Sequence, residues 1–557
     1  MAMSRMGSAA ARSGLLILFA GLAACHGTDL HERPGEAHDG VPLFDNLGSY
    51  SHPITTKSAL AQKYFDQGLR LVYGFNHDEA RRAFEEAARL DPDAAMAYWG
   101  IAYTLGPNYN LPRDPGRDHE ACQAVAQAQA KASGASERER GYVSAIATRY
   151  ADPPPDDRRS LDEAYAQAMQ GLAQRFPDDL DAATLYAESM MDLDPWELWT
   201  RHGKPRPGTL EIVATLESVL RRNPEHPGAN HYYIHAVEAS PSPERGLASA
   251  ERLASLVPGA GHLVHMPSHI YMRIGRYDAA VVANQRAIAV DEAYIASQKV
   301  QGVYAMMYYP HNIHFLYMAA AFDGRSAESV QAADKLAQKV PPDMVLSMPG
   351  PMESFLTAPL LARVRFGKWE EILAQPPPPE SLSYATAVSH YARGLAYLRT
   401  ARVREARAEL SALDQASAGI GKDRVVTQVN TSATLLSIAS HTLAGEIAAI
   451  QPQTTDEAVA QLEEAVKIQD DLAYMEPPDW YFPVRQALGA VLLRAKRPRD
   501  AEAVYRSDLE RNPDNGWSLY GLAESLRAQK KKEASQVEAR FEKAWRHADV
   551  VLPASRF

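Results

Sequence analysis

Apolar and small residues recur along most of this chain with the spacing of short helical hairpins, and the recurrence is long-range. Gly68, Ala80, Phe84 and Pro92 fall at offsets of 12, 16 and 24 from the glycine, and Gly489, Ala501, Tyr505 and Pro513 repeat them without change. Gly394, Ala406 and Leu410 match the first two offsets, and Tyr98 and Ala102 follow Tyr64 and Gly68 by 34 residues. A small residue on a first helix lets a second approach, an alanine and an aromatic on the second fill the gap, and proline ends the unit. Further units are read at 275–290, 455–466 and 516–526. Residues 111–160 match poorly and carry the turn ADPPPDD, and QPPPPES at 375–381 is the best candidate for a break or hinge.

This punctuation resembles the tetratricopeptide repeat (TPR). One such unit cannot cover its own apolar face, so units stack into a superhelix. The resemblance implies an all-α, TPR-like right-handed helical solenoid.

Eight of the 18 histidines lie between His226 and His314. On the repeat frame that ends at Pro258, His231, His235 and Glu238 take positions 5, 9 and 12. In the next unit His262, His265 and His269 take positions 2, 5 and 9, and in the unit ending at Pro341, His311 and His314 take positions 2 and 5. At roughly 100° per residue the packing positions 4, 7, 8 and 11 fill one arc, while 2, 5, 9 and 12 fall together off it. In the TPR family that second face lines the concave groove, and adjacent first helices sit roughly 10 Å apart. Imidazoles from three successive units are therefore expected to converge. Glu188, at position 9 of the preceding unit, and Asp192 one turn on are candidates to join from the side, and Arg273 shares the groove.

Neutral imidazole is the commonest protein ligand for zinc, copper or iron, and i, i+3 or i, i+4 spacing lets two rings reach one ion. The expected metal ligands are His231, His235, His262, His265, His269, His311 and His314, for zinc, copper, iron or manganese. Glu238 is expected as a carboxylate ligand or a catalytic general base. A metal-free catalytic or pH-sensing cluster, or a groove that recognises peptide, would also use such a face. HExxH is absent. Pro267 sits inside the expected helix and either kinks it or starts it, in which case His262 and His265 lie on a loop. The insertion AYIASQKVQGVYAMMYY stretches the interval between His265 and His314 and is a candidate lid. Asp194-Pro195-Trp196 with Trp199 reads as a turn with aromatic packing, GPNYN as a loop cap, and Tyr308 and Tyr309 as a pocket floor or packing.

Composition narrows the setting. The net charge of −11 argues against nucleic acid, whose binding surfaces are basic. Arg5 and Arg12 flank a short apolar run ending in Leu22-Ala23-Ala24-Cys25, which resembles a signal peptide with a bacterial lipobox. That resemblance implies cleavage before Cys25, lipidation of its thiol and a cell-envelope location. Loss of the two arginines takes the charge from −11 to −13. Cys122 is then the lone free thiol, expected as a small buried helix residue, and no intrachain disulfide is possible. The expected organisation is a signal peptide over 1–24, a lipidated cysteine and tether over 25–55, a solenoid with the histidine groove over 56–374, and further repeats over 375–557.

The stretches AARLDPDAAMAYWGIAYTLGPNYN, HAVEASPSPERGLASAERLASLVPGAGHLVHMPSHIYMRIGRYDAA and YYPHNIHFL together resemble a family of bacterial TPR lipoproteins, over most of residues 44–341. That likeness adds fold and export but no reaction. An enzyme built this way would activate water or oxygen at its metal. The competing class is a non-enzymatic scaffold that gathers protein or peptide partners in the envelope.

Overall fold

The computed structural model describes residues 40–557, apart from 301, 342, 343, 346–348, 427 and 428. The signal segment and Cys25 lie outside the described residues. Helices Ala59–Val72 and His77–Leu90 open a series of antiparallel pairs that continues to Ala534–Ala544. Among the described residues there is no strand beyond isolated bridges. The fold is an all-α, TPR-like helical solenoid. No described helix is long and apolar enough to cross a membrane.

The repeated small residues explain the pairing. A Cβ added at Gly68 would stand 2.6 Å from the Phe84 ring, and one added at Gly100 would stand 2.5 Å from it. Phe84 is fully buried between two glycine faces, one on its own partner helix and one on the next repeat. The far end repeats the device: a Cβ added at Gly489 or Gly521 would stand 2.3 or 2.2 Å from the Tyr505 ring. Helix starts are capped by side chains where the backbone leaves donors free: Ser58, Asn76, Asp179 and Thr431 each accept from a first-turn amide. The turns between paired helices pass through left-handed backbone at Gly275, Gly324 and Gly367, and at Phe75, Ala401, Lys496 and Lys530.

The apolar interior divides into two main clusters, one running from Leu47 to Tyr308 and the other from Met272 to Val537. They meet around residues 270–315, not at the proline run. Helices Pro349–Arg365, Trp369–Ala374 and Ser383–Arg399 carry the second cluster straight past 375–381, so no separation of cores falls there. The poorly matched stretch 111–160 still supplies helices Asp118–Lys131 and Glu137–Ile146. Cys122 is half-buried.

Two long-range closures bear on function. Residues 41–55, expected as tether, instead pack on the first repeats: Leu47 and His52 are buried, and the His52 ring bonds Asp181 at 2.6 Å. The C-terminal repeats also curl back, with Tyr277 donating to the Pro513 carbonyl, Trp517 to that of Ala321, and Arg546 pairing with Asp278.

Gly68→Ala tests the packing. Alanine is worth about 1 kcal/mol more than glycine in a helix interior, but Phe84 is pinned on both sides and cannot yield. Overpacking of about 1–3 kcal/mol should win, so thermal unfolding should begin at a lower temperature. An unchanged or raised midpoint would contradict the sandwich.

Candidate metal centre

Helix Pro227–Glu238 carries His231, His235 and Glu238, and all twelve of its residues are buried. Such a helix is interior, not the floor of an open groove. The groove expected from the repeat frame is here a packed histidine cluster at the seam of the two cores, with His311 half-buried at its edge. Pro267 resolves as a kink: Gly261–His265 is helical, Met266 keeps helical dihedrals (φ −51°, ψ −33°), and Pro267–Arg273 continues. His262 and His265 therefore sit on a helical turn, not on a loop. His311 comes from helix Tyr309–Phe322, whose start is fitted by Pro310.

Hydrogen bonds fix the rings. His231 Nδ1 faces the Tyr73 carbonyl at 2.7 Å, and His265 Nδ1 faces Asn284 Oδ1 at 2.6 Å. The Asn284 amide is itself oriented by donating to the Ala280 carbonyl. His235 Nδ1 meets Glu238 Oε1 at 2.8 Å, and His269 Nδ1 meets Glu238 Oε2. Carbonyl and carboxylate oxygens only accept, so each of these four Nδ1 atoms carries a hydrogen, and in the neutral ring the Nε2 presents a lone pair. The Nε2 atoms converge: those of His265 and His269 are 2.8 Å apart, and His231 Nε2 lies 3.1 Å from His262 Nε2. His235 Nε2 and His262 Nδ1 are buried without a hydrogen-bond partner.

Three groups here bring ligand atoms within 4.8 Å of one another and could hold a metal ion: His231, His235 and His262; His265, His269 and His311; and His235, Glu238 and His269. Each histidine triad has a phenyl ring against it. Phe75 lies 4.6 Å from the His231 ring centre, and Phe315 lies 4.6 Å from those of His265 and His269. Phe75 occupies a left-handed hairpin position (φ 55°) where three other turns use glycine. Bulky side chains are rarely tolerated there.

The segments read as loops and insertion form the walls. Tyr109 of GPNYN and Trp196 pack on His235, at 5.1 and 5.8 Å between ring centres. From the insertion, Tyr308 meets His262 edge-on, and the Tyr304 hydroxyl accepts from the His262 amide at 3.2 Å. Tyr309 points away, donating to Glu292.

Four expected members stand apart. His314 faces Tyr317 and Phe355 instead of the triads. Its ring falls one turn beyond His311, on the side packed against the following helices. Glu188 and Asp192 form a separate buried group with Arg149, whose guanidinium binds Asp192 at 2.8 Å. Arg273 lies over the Tyr474 ring at 5.3 Å and clamps the C-terminal half. Next to Tyr474, Glu476 is buried, and burial lifts its carboxyl to about 7, with His269 opposing and Glu238 adding to the rise. Glu476 lies outside the repeat frame, because its loop, MEPPDWYFP, breaks the frame.

A second polar hub lies behind the chamber. Asp181 accepts from Tyr50, Tyr73 and the His52 ring, with His226 Nε2 at 3.3 Å. His52, Asp179 and Asp181 also bring ligand atoms within 4.8 Å. Burial works against the Asp181 charge, but His52 and His226 hold its carboxyl well below the usual range. Tyr73 joins the hub to the chamber, donating to Asp181 through its hydroxyl and accepting from His231 through its carbonyl.

No family model and no curated protein matches the chain. Among solved structures it is similar to a human IFIT1 dimer with m7Gppp-AAAA, at 14% identity over 89% of this chain and 92% of that one, with a TM-score of 0.31. It is also similar to the Cut9–Hcn1 hetero-tetramer of the APC/C, at 10% identity over 87% and 76%, with a TM-score of 0.31. The TPR domain of P58(IPK) matches at 10% identity over 84% and 98%, with a TM-score of 0.22.

Burial drives His231, His235, His262, His265 and His311 below the ordinary value of 6.5, and takes His314 to about 4. A histidine with a depressed folded value is protonated more readily in the unfolded chain. Its stabilisation is complete above about pH 6.5 and is lost as pH falls toward the folded value. For Glu238 burial is outweighed by His269 and His235, which hold it at about 2, so its contribution is lost only between about 4.5 and 2. The chelator-treated protein should therefore show a flat urea midpoint above pH 7.5 and a steep fall between pH 6.5 and 5. A midpoint unchanged down to pH 5 would contradict a neutral, buried histidine cluster.

Proposed function

We propose that this is an exported, lipid-anchored solenoid that holds a transition metal in its histidine chamber. One observation carries the reading: the Nδ1 hydrogens are committed to acceptors, so the Nε2 lone pairs of His265 and His269 face each other at 2.8 Å. Two such lone pairs repel unless a positive centre lies between them. Orientation of a metal-binding imidazole by a carbonyl or carboxylate on its far nitrogen is the usual supporting arrangement. Zinc, copper, iron and manganese all accept imidazole, and the donor set favours the first three over manganese.

Glu238 acts in this reading as the orienting carboxylate. Both of its oxygens are engaged, and its low proton affinity makes it a poor general base. The burial of the cluster suits water or oxygen as the reacting species better than a peptide. Export rests on the lipobox at Cys25, which would hold the body at the cell envelope. The alternative is a scaffold for envelope proteins, in which the histidines are packing.

Elemental analysis of mature protein purified without a histidine tag separates the two. Near-stoichiometric metal, lost in a His265→Ala/His269→Ala variant, is expected. No metal after reconstitution, with unchanged partner pull-down in that variant, would favour the scaffold. Glu238→Gln should keep the metal but weaken its affinity about 10–100-fold in chelator competition. Unaltered affinity would remove Glu238 from the site.

A further inference from the structure

The chamber is built twice. His231 and His235 are four residues apart on one helix, and His265 and His269 repeat that spacing one 34-residue unit later. Each pair is completed by a histidine from another helical segment, His262 for the first and His311 for the second, and no residue is shared between the triads. Each has its own phenyl backing, Phe75 or Phe315. The triads abut: the ring centres of His235 and His269 are 5.5 Å apart, and those of His262 and His265 are 5.8 Å apart. Glu238 ties the two by accepting from one ring of each.

The donors are six imidazoles. Glu238 has both oxygens occupied from the far side of the rings, so it offers little to ions in the chamber. Two divalent ions would bring four positive charges into a buried space with few carboxylates, whereas two monovalent ions bring half that. An all-imidazole, three-donor set with an aromatic surround suits copper(I), which also stands at the favoured end of the affinity order once oxidised. Tyr109, Trp196 and Tyr308 pack against the rings of His235 and His262, so any ligand held there must be small.

We infer that the chamber holds a pair of copper ions, one in each histidine triad, and that the pair binds dioxygen between them. This rests on the metal reading above. The electrons balance within the site: each copper(I) gives one, dioxygen takes two, and both ions become copper(II). No proton or outside reductant is needed while the oxygen stays bound.

The test uses the whole mature protein, stripped with chelator, loaded with copper(I) under argon and desalted. Elemental analysis should give two copper per chain. After exposure to air the protein should gain the strong near-ultraviolet absorption of oxidised copper while its copper electron-spin signal stays far below the total copper, because two copper(II) spins joined by one ligand cancel. Unreacted copper(I) would give neither signal nor absorption and would overturn oxygen binding. His262→Gln and His311→Gln, each removing one ligand from one triad, should restore the signal of an isolated copper(II) while circular dichroism shows an intact fold. One copper per chain in the unaltered protein, or two with a full spin signal, would overturn the pair and leave the metal reading standing. No bound copper or other metal would overturn both.

Discussion

A single carboxylate holds the centre of this molecule together. Glu238 is buried and receives a hydrogen from His235 on its own helix and from His269 on the next repeat. An isolated carboxylate at that depth would be costly, and two charge-assisted bonds offset the loss of solvent. The same two bonds determine which nitrogen of each ring points inward. Tautomer, ring direction and the stacking of one repeat on the next are thus one interaction seen from three sides.

The solenoid supplies the duplication and the irregularities supply the enclosure. Translation by one unit copies an i, i+4 histidine pair from the first helix to its neighbour. The walls come from places where the repeat fails: the hairpin turn that carries Phe75, the loops with Tyr109 and Trp196, and the insertion that carries Tyr304 and Tyr308. Asn284 and the Tyr73 carbonyl then do for His265 and His231 what Glu238 does for its pair. A regular array of hairpins would have left these rings facing solvent.

The hairpins and the histidine register were legible because both are periodic. Gly68, Phe84, Gly489 and Tyr505 mark the packing seam by size alone, and the 34-residue interval puts His231 above His265. Burial was not legible, since the frame treats positions 5 and 9 as facing an open hollow and says nothing of what covers it. His314 shows the limit of a wheel: one helical turn beyond His311, it meets Phe355 of a later helix. Glu188 and Asp192 share the register but find Arg149 on their side of the helix, and their charges are taken up there. His52 and Glu476 come from stretches without a period and could be placed only by the three-dimensional path.

The contact of Arg273 with Tyr474, together with the buried Glu476 beside it, has a consequence for solvent access. Hairpin repeats gain their structure from their neighbours, and order can start at any unit and spread along the array. The six histidines lie within 231–311, whereas the Tyr474 loop belongs to a much later unit. Cover on the C-terminal side of the His269–Glu238 pair therefore comes from a remote part of the chain, and local opening of the late hairpins alone would admit solvent there.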